Sequence, residues 1–157
     1  RGNLMRLTLL KGSQRPDPTA DLGHHEFTYS LYPHAGDWRQ ADTPRRAWEL
    51  NDPLASVPLA KSRAGLDPSV SFISINRPNV MLAALKLAED EDALVIRLYE
   101  SRNARGPVSV KLFKPIVQAM ECDLLEKAAA PAKVVSGALR FDIKPYEIRT
   151  FKLRFKK

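Results

Sequence analysis

Apolar residues along this chain recur at every second position in run after run. Leu7 and Leu9 alternate with Arg6 and Thr8, and Phe27, Tyr29 and Leu31 alternate with Glu26, Thr28 and Ser30. This is the period of a half-buried β-strand. The same counting predicts strands near residues 4–10, 25–32, 70–76, 79–88, 93–100, 107–113, 117–125, 138–143 and 148–155. Between them stand short turn segments: Arg77-Pro78-Asn79, the acidic tip Glu89-Asp90-Glu91-Asp92, and Asn103-Ala104-Arg105-Gly106, where Asn103 or Gly106 can take a positive φ. Short strands at roughly ten-residue spacing read as an all-β fold, a β-sandwich. One stretch breaks the alternation. Asp42-Thr43-Pro44 supplies a helix start with proline in the first turn, and Asn51-Asp52-Pro53 supplies a stop, so a short helix is expected over 43–50.

The segment Asn51 to Pro68 carries three prolines and one glycine with little periodicity, the composition of a linker or crossing connection. A boundary is therefore expected there. Residues 1–52 form the end of one β unit, 53–67 the connection, and 68–157 a compact sandwich. The first unit is too small to be a complete sheet, since two or three strands are marginal alone. The chain opens on Arg1-Gly2-Asn3 with strand-like residues at once, without an initiator methionine or the apolar centre of a signal peptide, and a piece of a longer protein is expected.

Composition changes this picture little. The chain has 157 residues, 44% hydrophobic and 27% charged, enough for a real core, and it contains no apolar run of membrane-spanning length. Its net charge of +7 raises nucleic acid as a partner, but the cations alternate with apolar residues. Arg140 and Lys144 alternate with Leu139, Phe141 and Ile143, and Lys152, Arg154 and Lys156 with Phe151, Leu153 and Phe155, so solvated strand faces account for them. If the last strand is an edge, the same lysines and arginine would deter pairing with other chains. No nucleic-acid or membrane partner is expected. The single cysteine, Cys122, excludes an internal disulfide, fits a reducing, cytoplasmic setting, and reads as a buried, inert thiol.

Candidate chemistry concentrates in Asp21 to Trp38, which holds all three histidines, His24, His25 and His34, with Tyr29, Tyr32 and Trp38. His24 and His25 are adjacent on a strand and point to opposite faces, so they share an ion poorly, and no spacing here matches a zinc motif. Asp21 with Glu26, or Asp37 with Glu49, could flank a sugar bond, as could most acidic pairs. There is no phosphate-cradling glycine loop, no nucleophile elbow and no Cys/His pair. Nothing here makes a complete catalytic set. Tyr29, Tyr32, Trp38 and Trp48 could serve as platforms for sugar faces, but their pattern reads more simply as core or interdomain contacts.

Three stretches taken together, MRLTLLKG (5–12), PDPTADLGHHEFTYSLYPHAGDW (16–38) and RRAWELNDPL (45–54), resemble the C-terminal β region of glycoside hydrolase family 38 α-mannosidases. The carrying pattern is Arg6 to Leu10, Pro16 to Pro18, Asp21, Gly23, His25 to Tyr29, Leu31, Pro33, His34, and Leu50 to Leu54. VMLAALKLAEDEDALVIRLYES (80–101) and KPYEIRTFKLRF (144–155) resemble the terminal β-sandwich of the same enzymes. The resemblance implies a retaining exo-α-mannosidase with one zinc ion, whose nucleophile and zinc ligands lie in an N-terminal catalytic domain before this chain begins. It implies no catalytic residue, no metal and no cofactor in this piece, with that catalytic domain and an α-mannoside as partners in the full-length enzyme. His25, Tyr32, His34 and Asp37 are then candidates for the domain interface or the substrate cleft. An autonomous carbohydrate-binding sandwich and a basic nucleic-acid binder are the competing readings.

Overall fold

The structure, a computed structural model, describes residues 3–58 and 69–156. The chain divides into two compact units, Arg1–Pro53 and Leu54–Lys157. Of the expected connection over 53–67, residues 59–67 lie outside the described residues.

In the first unit the helix forms as its caps predict. It is α1, Thr43–Asn51, with Pro44 in its first turn and the Asp52 N–H closing the C-terminus on the Trp48 carbonyl at 2.8 Å. Asp42 precedes it in the left-handed region at φ 55, and its carboxylate binds Arg45 Nε at 2.9 Å instead of capping the backbone. The two strands expected at 4–10 and 25–32 do not form: neither segment enters a ladder, and both faces of the Phe27, Tyr29, Leu31 alternation are exposed. The physical reason is that alternation gives a segment two faces but cannot supply the neighbour that its backbone hydrogen bonds require.

Among the described residues the second unit holds eight strands: β1 (Ile73–Ile75), β2 (Val80–Leu87), β3 (Leu94–Glu100), β4 (Gly106–Leu112), β5 (Ile116–Cys122), β6 (Ala128–Val135), β7 (Ala138–Ile143) and β8 (Ile148–Phe155). They run antiparallel in the order β1-β4-β7-β6-β5-β8-β3-β2. Strand β6 is the corner of the sandwich. Its first part pairs with β5 and its last residues, Lys133 to Val135, pair with β7. Its run Ala128-Ala129-Ala130-Pro131-Ala132 has no polar alternation, which is why periodicity misses it.

The core lies between the two faces thus formed. Ile96, Leu98, Val110, Leu139, Phe151 and Leu153 are wholly buried, each stabilising the fold by about 1.5–3 kcal/mol relative to exposure. The β6–β7 turn is Ser136-Gly137, both with positive φ (50 and 72), as a two-residue hairpin turn of the primed type requires. The β3–β4 connection passes through Asn103 at φ 60, and Gly106, the first residue of β4, takes φ 143.

The last strand corrects one expectation. β8 is not an edge; it lies between β3 and β5, with Leu153 paired to Leu94 on one side and Ala119 on the other. Lys152 is therefore not a solvated guard residue but is 9% exposed, beside Val95 and Met120, and it pairs with Glu91 at 2.9 Å. The acidic tip is correspondingly not a free loop. Glu91 bridges Lys152 and Arg154, while Lys86 holds Glu89 and Glu126, the latter at 2.7 Å.

Candidate functional site

The histidine-rich stretch of the first unit is held by its own backbone. Asp37 makes the turn ahead of α1: its carboxylate accepts the N–H groups of Arg39 and Gln40 at 2.9 Å each, and its own N–H donates to Gln40 Oε1 at 3.0 Å. The Gln40 N–H, with help from Arg39 and the nearby His34, holds the Asp37 carboxyl below its ordinary range against a smaller opposing effect of desolvation. A carboxylate so placed stays charged and caps a turn. It is a poor proton donor.

Tyr32 reaches across nine residues to donate from its hydroxyl to the Ala41 carbonyl at 3.1 Å, tying the segment to the start of α1. The His34 ring lies 5.4 Å from the Tyr32 ring at a tilt of 42°, with Nδ1 3.3 Å from the Ala35 carbonyl. His25 stands apart from this pair: its ring stacks on Phe27 at 6.0 Å, and Nε2 lies 2.8 Å from the Asp21 carbonyl. The structure thus brings Tyr32, His34 and Asp37 into one corner and leaves His25 in a second cluster. Among the described residues no group of three histidine, cysteine or acidic side chains comes together as a metal centre would need.

A cavity of about 400 Å³ opens beside Tyr32, lined by Ser30, Thr43, Arg46, Glu49 and Leu50. The Thr43 hydroxyl is buried with no hydrogen-bond partner among the described residues, and Arg46 pairs with Glu49 at 2.7 Å. Sequence reasoning missed this cavity, because nothing in the helix pattern says that Tyr32 packs over its first turn. It also read the aromatics of this unit as core or interdomain contacts, and the structure does not bury them in a core. They are instead open to solvent, with Tyr29 at 68%, Tyr32 at 42%, Trp38 at 39% and Trp48 at 41% exposure.

In the second unit the two signature motifs meet at one buried carboxylate. Glu100, ending the run Arg97-Leu98-Tyr99-Glu100, is 1% exposed and accepts from Asn79 Nδ2 at 2.8 Å, the Arg102 N–H at 2.7 Å and the Tyr146 N–H at 3.0 Å. Burial pushes its pKa up, but these donors together outweigh burial and leave it below the ordinary range. The Glu100 N–H in turn donates to the Glu147 carbonyl, so the segment Pro145 to Thr150 is locked to β3. This constellation is structural. Cys122 is buried as expected, and desolvation pushes its thiol up, which lowers the share of thiolate.

Comparison with known proteins assigns the second unit. Residues 79–151 match the family described as glycosyl hydrolases family 38 C-terminal beta sandwich domain. The chain is 34% identical to mouse Alpha-mannosidase 2C1 over 98% of its own length and 37% identical to the human protein of that name over 94%. It is 32% identical to Alpha-mannosidase G of Dictyostelium discoideum over 96%. It spans only 14–15% of the length of these relatives.

Proposed function

Since this chain belongs to glycoside hydrolase family 38 through the β-sandwich at residues 79–151, we propose that it is the non-catalytic C-terminal β portion of a retaining, zinc-dependent α-mannosidase. The observation that carries this is the likeness to α-mannosidases along 94–98% of the chain, across both units. In the proposed enzyme the nucleophile and zinc lie in the N-terminal catalytic domain, and a terminal α-mannoside is the substrate. These residues do no chemistry of their own. The charged, turn-capping Asp37 and the shielded Cys122 thiol support that reading, and no helix among the described residues is long and apolar enough to cross a membrane. A cytoplasmic setting is part of the proposal, supported by the single cysteine.

The corner of Tyr32, His34 and Asp37, with His25 nearby in sequence, is the part proposed to face the catalytic domain or wall its cleft. Its exposed rings and fixed backbone are what a preformed docking corner needs. In a full-length enzyme, Tyr32→Ala with His34→Ala is expected to raise KM or lower the melting temperature. Wild-type kcat/KM together with a wild-type melting temperature would remove the corner from that role. The chain alone, assayed with an aryl α-mannoside and added zinc, is expected to show no turnover.

The exposed Tyr29, Tyr32, Trp38 and Trp48 favour one second reading, an autonomous carbohydrate-binding module. Saturable binding of mannose oligomers by the isolated chain, lost in Trp38→Ala, would support it over the first.

A further inference from the structure

One face of α1 is left open within the first unit. Thr43, Arg46, Ala47 and Leu50 follow the helical spacing i, i+3, i+4, i+7 and so share a face, and α1 buries none of its residues. Together with Tyr32 these four line the cavity of about 400 Å³, a volume within the range of about 300–1,000 Å³ usual for small-molecule sites. The walls are fixed in advance. Tyr32 is tied to the Ala41 carbonyl at 3.1 Å, and the Asp37 carboxylate holds the turn that leads into α1.

The polar groups on these walls select the ligand. The Thr43 hydroxyl is buried with no hydrogen-bond partner among the described residues, whereas a buried hydroxyl is nearly always paired. Ser30 adds a second hydroxyl to the lining. Arg46 and Glu49 pair at 2.7 Å with their side chains 47% and 51% exposed, which leaves guanidinium donors and carboxylate lone pairs for another molecule. The pair is neutral as a whole: an anion would meet Glu49 and a cation would meet Arg46. A wholly apolar ligand would leave Thr43 unpaired and would strip water from the ion pair. The walls are matched by an uncharged molecule with an apolar C–H face for Tyr32 and Leu50 and with hydroxyls that both donate and accept. A pyranose ring has this make-up.

We propose that the cavity between Tyr32 and α1 is a pyranose-binding site. The Thr43 hydroxyl and the Arg46–Glu49 pair hydrogen-bond the sugar hydroxyls, and Tyr32 and Leu50 cover the apolar face. The site holds the sugar and does not cleave it. Its assignment goes beyond both readings of the preceding section, and only the choice of mannose over other pyranoses rests on the α-mannosidase reading.

Ligand-observed NMR titration of the 157-residue chain with methyl α-mannoside and, separately, with methyl α-glucoside tests the site. A Kd of about 1 mM is expected for the mannoside, the scale set by a ligand of this size. Binding of the glucoside alone would support the site and count against the choice of mannose. Thr43→Val keeps the side-chain shape and is expected to weaken binding about tenfold without lowering the melting temperature, because the hydroxyl has no partner to lose in the free chain. Ala47→Trp fills the cavity and is expected to abolish binding; the Thr43→Val result stands by itself if that variant does not fold. Failure of both glycosides to bind would overturn the proposal, as would full affinity in Thr43→Val. So would binding that Trp38→Ala removes and Thr43→Val retains, since the sugar would then stack on the exposed tryptophan instead.

Discussion

At the scale of single residues, the chain shows how a charged side chain can be spent on architecture. Glu100 is buried, ionised and surrounded by donors from three segments, Asn79, Arg102 and Tyr146. Removing it leaves buried donors without an acceptor, at about 1–3 kcal/mol for each one that water cannot reach. Glu100→Ala is therefore expected to destabilise the second unit by about 3 kcal/mol in urea unfolding, with an unchanged m-value. A loss below about 0.5 kcal/mol, the usual range for a surface change, would mean that the donors find other partners. Sequence alone marks Glu100 as part of a family signature. It cannot show that the signature is a hydrogen-bonded hub, because the donors come from residues 21 and 46 positions away.

At the scale of elements, the turns are the most legible features and the strand order the least. Gly137 stands at φ 72, and a Cβ there would lie 2.8 Å from Pro115 Cβ, against the residue that leads into β5. Gly137→Ala combines a left-handed backbone with that clash and is expected to cost about 1–2 kcal/mol, read as a lower thermal midpoint of the second unit. A neutral result would show that the β6–β7 hairpin can change its turn without losing register. The helix α1 was legible for a similar reason: Thr43-Pro44 and Asp52-Pro53 act through local backbone geometry. The segments expected as strands at 4–10 and 25–32 alternate as the second half of β8 does, yet of the three only β8 has neighbours to pair with.

At the scale of the second unit and its charge network, stability should depend on pH in a definite direction. Hydrogen bonds from Arg154 and Lys152 lower Glu91, and those from Lys86 and the Glu89 N–H lower Glu126, while at Glu100 the donors Tyr146, Asn79 and Arg102 together outweigh burial. A carboxyl whose folded pKa lies below its unfolded value of about 4.5 contributes stability that is fully present above that value and is lost as pH falls through the folded pKa. Lys86 and Lys152 are raised above 10.5 by the same pairs, so their contribution is full below 10.5 and is lost as pH rises through the folded value. The melting temperature is therefore expected to hold steady between about pH 5 and pH 10 from these groups and to fall outside that window. Glu91→Gln should flatten the acid limb; an unchanged acid limb in that variant would show that Glu91 does not contribute to it.

The sequence by itself determined the all-β character, the helix and its ends, the turn positions and the family signatures, because each rests on local geometry: side-chain period, φ preference, and the backbone limits of proline and glycine. Tertiary structure alone decided that β8 is central, that Lys152 is buried under Glu91, that the alanine-rich β6 turns the corner between sheets, and that Tyr32 closes over α1. Period two tells a strand which side faces inward but carries nothing about which strand lies beside it. Neighbours are set by long-range pairing, and with them which charges are buried, which are paired and which are left for another molecule to meet.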